Sequence, residues 1–190
     1  MKKFISSDFH AYHKNICSGC TSWESGAIRP FNTPEEMTYK LVENINKLIS
    51  KNDVLYFLGD WSFGGFDKIS LFRNMLNVEK IHLILGNHDT HIMRNKGNSK
   101  SLFESINNEL VINHRGVDLL LTHYPKINLS TTSHRSGDVP NESLTKMVNL
   151  FGHIHSSVKV PKMGMDVGVD GNPEFRPYEI DEVFELIDLV

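Results

Sequence analysis

The stretch Gly86-Asn87-His88-Asp89 decides the fold, because it follows a short apolar run, residues 81 to 85, that is typical of a buried strand. Glycine lets the backbone turn sharply where the strand ends. Asn offers an oxygen to a hard cation, His offers a nitrogen ligand or a proton, and Asp can bind metal or orient the imidazole ring. A single tetrapeptide of this kind has a simpler explanation, since turns favour Gly, Asn and Asp for conformational reasons.

The same arrangement occurs four more times along the chain. Each time an apolar run is followed at once by side chains that carry oxygen or nitrogen donors. These polar exits are Asp8-x-His10, Gly59-Asp60, His123 and Gly152-His153-x-His155. Polar groups placed repeatedly after buried strands cost stability through desolvation unless something satisfies them. The repetition therefore indicates a functional site rather than a set of unrelated turns.

Composition is that of an ordinary globular protein. The chain has 190 residues, 39% of them apolar and 23% charged, which suits one domain spanning residues 1–190. A net charge of -3 disfavours a stable nucleic-acid complex and leaves small phosphorylated ligands open. The basic amino terminus has no apolar segment after it, and no stretch reaches membrane-spanning length. We therefore expect a cytoplasmic protein without membrane association. Nothing in the pattern indicates an oligomeric state.

Strand and helix patterns alternate, which predicts an α/β layered fold. A helix should begin at Thr33, with Pro34 at the first helical position and Glu36 completing a capping box. Further helices are predicted over 67–76 and 101–107. Strands are predicted over 3–7, 54–58, 78–85, 110–113, 117–121 and 148–151, with short ones around 158–160, 165–169 and 178–180. Residues 11–33, 90–99 and 126–142 read as loops, and 181–190 as a short helix or edge strand.

Cys17 and Cys20 are the two cysteines of the chain and form a lone Cys-x-x-Cys. Such a pair can be a redox dithiol or half of a zinc site. No second pair completes a structural zinc set, and no thioredoxin-like pattern surrounds this one. We expect reduced thiols in a loop.

The polar exits supply the donors for two divalent ions. A pair of ions needs roughly seven or eight donors, with one carboxylate able to bridge both. The candidate ligands are Asp8, His10, Asp60, Asn87, His123, His153 and His155. In a regular strand His153 and His155 would point to opposite sides, so we expect them where the strand unwinds. Two ions over two carboxylates leave excess positive charge, which suits a phosphate ester and acidifies a bridging water to give a hydroxide nucleophile.

The donor set restricts the choice of metal. Mixed His, Asp and Asn ligands without thiolate suit Mn²⁺, Fe, Zn²⁺, Ni²⁺ or Co²⁺. We expect Mn²⁺ to support activity.

In order and spacing, these motifs resemble those of the calcineurin-like metallophosphoesterases, in particular the small phosphodiesterases of bacteria, archaea and phages. The resemblance covers residues 4 to 170. It implies a four-layer αββα sandwich, with helices outside two mixed sheets and the site at the strand ends. It also implies that Asp8, His10, Asp60 and His155 hold one ion, and that Asp60, Asn87, His123 and His153 hold the other. By the same resemblance, His88 contacts the phosphate and protonates the leaving group, while Asp89 orients the His88 ring.

The predicted function is hydrolysis of a small phosphodiester, nucleotide-like or cyclic, without a covalent enzyme intermediate. Two alternatives stay open: a protein or nucleotide phosphomonoesterase with the same metals, and a non-catalytic metal-binding scaffold. His13, Arg29 and Arg135 are the candidate substrate contacts. Trp61 and Phe63 either pack in the core or form a wall for a base or ring.

Overall fold

The structure, a computed structural model, describes residues 1–22, 27–127 and 147–189. Ten strands lie in these ranges: β1 Lys3–Ser6, β2 Val54–Phe57, β3 Lys80–Ile84, β4 Ser105–Asn107, β5 Glu109–His114, β6 Val117–Thr122, β7 Val148–Phe151, β8 Lys159–Val160, β9 Gly164–Asp166 and β10 Tyr178–Glu179. The α-helices of the same ranges are α1 Pro34–Leu48, α2 Gly65–Asn74, α3 Thr90–Arg94, α4 Lys96–Ser99 and α5 Ile180–Leu186. Arg135 and most of the loop predicted over 126–142 lie outside the described residues.

The strands form two mixed five-stranded sheets. The first has the order β10-β1-β2-β3-β4, with β10 antiparallel to β1 and the other neighbours parallel. The second has the order β5-β6-β7-β9-β8, and its central pairs β6-β7 and β7-β9 are parallel. Because parallel strands share a direction, their carboxyl ends meet at one edge of each sheet. This register brings the polar exits of β1, β2 and β3 together.

Helix α1 begins where the sequence predicts. The Thr33 hydroxyl accepts the backbone N–H of Glu36 at 3.1 Å. The Glu36 carboxylate accepts the backbone N–H of Asn32, one residue before the expected partner, so the predicted capping box is only half formed. Met37, Leu41 and Ile45 are fully buried on the inner face of this helix. Burying each such side chain stabilises the fold by about 1.5–3 kcal/mol.

Two large apolar clusters lie on either side of the first sheet. One contains α1 and α2 side chains together with Phe4, Leu55 and Trp61. The other lies between the sheets, where Ile5 shares a buried cluster with Leu121 and α5 side chains. The predicted fold class, two mixed sheets flanked by helices, is confirmed. None of the described helices is long and apolar enough to cross a membrane.

The prediction for residues 90–107 is wrong in two places. Residues 90–99, predicted as a loop, contain the short helices α3 and α4. Residues 101–107, predicted as a helix, end instead in β4, which pairs with β3 in the register His82↔Ser105. The backbone N–H of Leu85 also donates to the carbonyl of Asn107 at 2.9 Å. Pairing along the open edge of β3 therefore overrides the local helix preference.

Candidate metal centre

The ligand-bearing turns leave the strands through an unusual backbone conformation. Positive φ angles occur at Asp8 (56°), His10 (46°), Asp60 (62°), His153 (72°) and His155 (49°). Residues with a side chain seldom adopt this region, which costs on the order of 1–3 kcal/mol at each position and persists only where the surroundings hold it. His153 and His155 therefore lie where the strand unwinds, as predicted.

One group of donors converges on Asp8. His10 Nε2 lies 3.8 Å and His155 Nε2 3.7 Å from Asp8 Oδ1. The two imidazole Nε2 atoms are 3.1 Å apart, and His10 Nε2 is 3.4 Å from Asp60 Oδ2. These four side chains are the set predicted for the first ion.

A second group converges on Asn87. Its Oδ1 lies 2.9 Å from His123 Nε2 and 3.1 Å from His153 Nδ1. His123 Nε2 is in turn 3.5 Å from Asp60 Oδ2. Asp60 Oδ2 is thus almost equally distant from a histidine of each group.

The carboxylates of Asp8 and Asp60 each have one oxygen that accepts hydrogen bonds from the protein and one oxygen that faces the candidate site. Asp8 Oδ2 accepts the Ser7 hydroxyl and the backbone N–H of His153. Asp8 Oδ1 is buried and has no hydrogen-bond partner among the described residues. Asp60 Oδ1 accepts the backbone N–H of His88 at 2.8 Å, which leaves Oδ2 free for the centre.

Hydrogen bonds to the remote ring nitrogens fix two of the histidine tautomers. His123 Nδ1 lies 2.7 Å from the carbonyl of Leu58, so Nδ1 carries the proton and Nε2 presents its lone pair. His155 Nδ1 lies 2.7 Å from Asp170 Oδ2, with the same result. His123 Nε2 and Asn87 Oδ1 are then two acceptors at 2.9 Å. Two acceptors this close repel each other unless both face the same cation, so these residues fit neighbouring positions around a bound metal ion.

The pKa shifts of the donor side chains also favour a bound cation. Burial lowers the pKa of His10 to about 3, which keeps its imidazole neutral and able to bind metal. Burial raises the pKa of Asp60 to about 7. A buried carboxylate without a cation is costly to ionise, and a bound ion reverses that cost. Two groups have ligand atoms close enough to share an ion: Asp8 with His10 and the partly exposed His155, and Asp8 with the buried Asp60 and His123.

Sequence comparison decides the family of the chain. A family model described as a calcineurin-like phosphoesterase superfamily domain matches residues 1–167. The chain belongs to this superfamily. It is therefore a metal-dependent phosphoesterase, and the donor groups described above are candidate binding positions for its metal.

The individual proteins that resemble this chain have low sequence identity to it. The phosphoesterase is similar to an uncharacterized protein of Methanocaldococcus jannaschii, at 26% identity over 196 residues that cover 98% of this chain and 92% of the relative. Its fold is similar to that of a protein of unknown function from Aquifex aeolicus, with a TM-score of 0.68 and 21% identity over 98% of this chain and 99% of that one. The phosphoesterase Yfce from E. coli matches with a TM-score of 0.46 at 15% identity, covering 89% of this chain and 79% of that one.

Asp89 does not orient the His88 ring of this phosphoesterase, contrary to the expectation from sequence. The Asp89 carboxylate is buried and accepts three backbone N–H groups: those of Asp60 at 2.9 Å, Trp61 at 2.9 Å and Gly86 at 2.8 Å. It therefore fixes the turns that carry the candidate ligands Asp60 and Asn87. Gly86 is needed there for space, because a Cβ atom at this position would collide with the Asp60 carboxylate. Asp89 supports the site and does not touch the reacting atoms.

His88 lies at the mouth of the site beside the first donor group. Its ring is exposed, and the ring centroids of His10 and Phe63 lie 5.4 Å and 5.0 Å away. Phe63 stacks on His13 with centroids 3.7 Å apart and an interplanar angle of 8°. His13 and Phe63 thus form a wall next to His88, whereas Trp61 is fully buried in the core.

Arg29 is placed differently from the sequence prediction. Its side chain is only 2% exposed, and it pairs with Asp170 through Nε at 2.7 Å and Nη2 at 2.8 Å. Its remaining N–H groups reach the carbonyls of Asp8 and Phe9 and the sulfur of Met37. These contacts leave Arg29 no free donor for substrate, so we correct its role from substrate contact to support.

Asp170 contacts a candidate ligand, His155, and is absent from the residues predicted from the sequence. It follows a short apolar run, Val167 to Val169, and so carries the same signal as the predicted exits.

The two cysteines lie in the region next to Arg29. Cys17 is buried, Cys20 is partly buried, and both are free thiols.

Proposed function

We propose that this chain is a dinuclear metal-dependent phosphodiesterase that acts on a small, nucleotide-like or cyclic phosphodiester. The position of Asp60 Oδ2 carries the proposal, because this atom lies 3.4 Å from His10 Nε2 and 3.5 Å from His123 Nε2. Donors on both sides of one carboxylate oxygen suit two ions that share it. Mn²⁺ is the ion we expect to support activity, since the donors are imidazole, carboxylate and amide oxygen without thiolate.

The chemistry divides between the metals and the protein. Two divalent ions, if bound by these donors, would stabilise charge on the phosphoryl oxygens and would make a water acidic enough to serve as the nucleophile. The protein holds the donors rigidly through Asp89, the Leu58 carbonyl and the Ser7 hydroxyl, so that little reorganisation is needed during reaction.

His88 is the group we assign to the substrate phosphate and the leaving oxygen. Its ring is exposed at the mouth, while its backbone N–H is held by Asp60 Oδ1. Burial, together with the nearby His123 and His155 rings, lowers the pKa of His88. The ring is therefore neutral near pH 7 and acts through its N–H as a hydrogen-bond donor.

Aromatic rings on both sides of the site favour a substrate with a base. The stacked rings of Phe63 and His13 bound the side of the first donor group. Tyr124 lies on the side of the second donor group. Its ring centroid is 4.6 Å from that of His153, and its side chain is 44% exposed. Aromatic faces stack on nucleobases with little regard to sequence. The net charge of -3 disfavours a long polyanion as the substrate.

The test is hydrolysis by the Mn²⁺-loaded protein of bis-p-nitrophenyl phosphate and of p-nitrophenyl phosphate, followed by cyclic and linear nucleotide phosphodiesters. We expect the diester to be cleaved faster and activity to disappear with chelator. Faster cleavage of the monoester would replace the proposal with a phosphomonoesterase. Absence of turnover with every divalent ion tried would indicate a metal-binding scaffold.

A further inference from the structure

A largely buried chain of charged groups lies behind His155, one of the candidate metal ligands. Asp170 Oδ2 lies 2.7 Å from His155 Nδ1 and also accepts Arg29 Nη2 at 2.8 Å. Asp170 Oδ1 accepts Arg29 Nε at 2.7 Å. The carboxylate is therefore held on one side by a two-point guanidinium contact, and it holds the imidazole on the other.

Arg29 connects this pair to a second ligand of the same donor group. Its Nη2 donates to the backbone carbonyl of Asp8 at 2.6 Å, and its Nη1 donates to that of Phe9 at 2.7 Å. The guanidinium lies 5.1 Å from the centre of the Phe175 ring, so the cation is packed as well as paired. One buried side chain thus fixes the backbone at Asp8 and, through Asp170, the ring of His155.

Within residues 1–22, 27–127 and 147–189, no carboxylate holds the remote ring nitrogen of a histidine in the second donor group. His123 Nδ1 is held by the neutral carbonyl of Leu58. A carboxylate on the remote nitrogen makes an imidazole a stronger metal ligand than a carbonyl does, and it fixes the ring orientation. The two donor groups therefore differ in the partner that holds the remote nitrogen of a histidine ring.

We propose that Arg29 and Asp170 are positioning residues that set the affinity of the metal position formed by Asp8, His10 and His155, and leave the position formed by Asn87, His123 and His153 largely unaffected. This inference rests on the proposed dinuclear centre. Bound metal strengthens the arrangement, because a cation at His155 Nε2 increases the attraction between its Nδ1–H and Asp170.

A simple packing role is the competing explanation. A buried ion pair can hold two segments together without any effect on a nearby ligand, and removal of one partner then lowers stability alone. The two explanations differ in metal affinity. Loss of general stability weakens both metal positions, whereas loss of a positioning residue weakens one.

The chain contains a matched control for the substitution. Asp181 also lies between a histidine and an arginine, 2.6 Å from His114 Nε2 and 3.0 Å from Arg115 Nη2. It joins the β5-β6 turn to α5 and contacts none of the candidate metal ligands. Asp181→Asn therefore removes the same kind of charge from a His–Asp–Arg set that is more exposed.

The experiment is a Mn²⁺ titration of the full chain by calorimetry and chelator competition, with electron paramagnetic resonance to distinguish paired from single ions. For Asp170→Asn we expect one of two ions to bind roughly 10- to 100-fold more weakly and the paired-ion signal to give way to a single-ion signal at limiting Mn²⁺. For Asp181→Asn we expect two ions with wild-type affinity. Arg29→Lys keeps the charge but loses the two-point contact, and it should weaken the same position by a smaller factor.

Unchanged affinities in both Asp170→Asn and Arg29→Lys, or an equal weakening of both ions, would overturn the inference. If this inference fails but the wild type binds two ions and hydrolyses phosphoesters, the proposed function still stands. A wild type that binds fewer than two ions would overturn the dinuclear proposal and this inference together.

Discussion

Asp89 Oδ2 accepts the backbone N–H of Asp60 at 2.9 Å, so a buried carboxylate outside the ligand set fixes the turn of the shared ligand. Asp89→Asn should leave at least one of three backbone donors without an acceptor. We expect the free energy of unfolding to fall by about 1.5–3 kcal/mol, measured by urea denaturation without metal. Asp118→Asn is the control, since Asp118 is exposed and accepts only the side-chain amide of Asn113 in the described contacts. Equal stability of the two variants would contradict the supporting role of Asp89.

Asp60→Asn tests the shared ligand. The substitution keeps the shape of the side chain and an oxygen for the backbone N–H of His88, but it removes the charge between the two donor groups. We expect both ions to be lost, because each depends on the same oxygen. Metal content after equilibrium dialysis against Mn²⁺ measures the result, with Asp118→Asn again as the control. Full occupancy by two ions in Asp60→Asn would show that Asp60 does not bridge.

The sequence predicted the seven donors because the signal is local, whereas their division into two groups was implied by the resemblance to the calcineurin-like family. Each donor follows an apolar run, and the parallel register of β1, β2 and β3 then brings the strand ends together. The side chains that support the donors depend on long-range contacts. Asp170 and Arg29 are separated by 141 positions, and the pattern around each gives no sign of the other.

The role that the family resemblance implied for Asp89 also needs correction. The resemblance assigns Asp89 to the His88 ring, yet the turn directs the carboxylate inward to backbone groups. Strand β4 was missed for a related reason. Its three residues pair with β3, and this pairing, rather than the local propensity of residues 101–107, determines their conformation.

His88→Ala should separate catalysis from metal binding. The His88 ring lies beside the donors and contributes none of the contacts within either donor group. We expect kcat to fall by about a hundredfold or more, which is the usual effect of removing a donor to the transition state. Metal content and thermal stability should stay at wild-type values. His91→Ala is the control, because His91 is exposed on α3. Near-normal turnover of His88→Ala on every phosphoester tested would exclude the assigned role.

Added Mn²⁺ should stabilise the fold. The buried Asp8 Oδ1 lacks a hydrogen-bond partner among the described residues, and an ion that binds only the folded state shifts the equilibrium toward it. At Mn²⁺ concentrations about 100 times Kd, the gain is about 2.7 kcal/mol per ion and raises Tm by about 5–10 °C. Differential scanning calorimetry with and without chelator measures the shift. Asp60→Asn should show little of it, and an equal shift in that variant would place the stabilising ion elsewhere.

Asp53 provides a pH-dependent test away from the metal centre. Its carboxylate accepts the backbone N–H groups of Lys2 at 2.7 Å and Ser50 at 3.0 Å. The Lys2 hydrogen bond is the main cause that lowers the pKa of Asp53, and the Ser50 bond adds to it against the opposing effect of burial. Because the folded-state pKa lies below the unfolded value of about 3.9, the ionised carboxylate stabilises the fold above pH 4, and this stabilisation is lost as the pH falls through the folded-state pKa.

Asp53→Asn should therefore be less stable than the wild type by about 0.5–1.5 kcal/mol at pH 7. The difference should shrink as the pH is lowered from 5 toward 3, because the protonated carboxyl group and the amide then make similar hydrogen bonds. Urea denaturation of both proteins across this range, in chelator so that metal binding does not contribute, measures the difference. A gap that stays constant from pH 7 to pH 3 would mean that the charge of Asp53 does not stabilise the turn before β2.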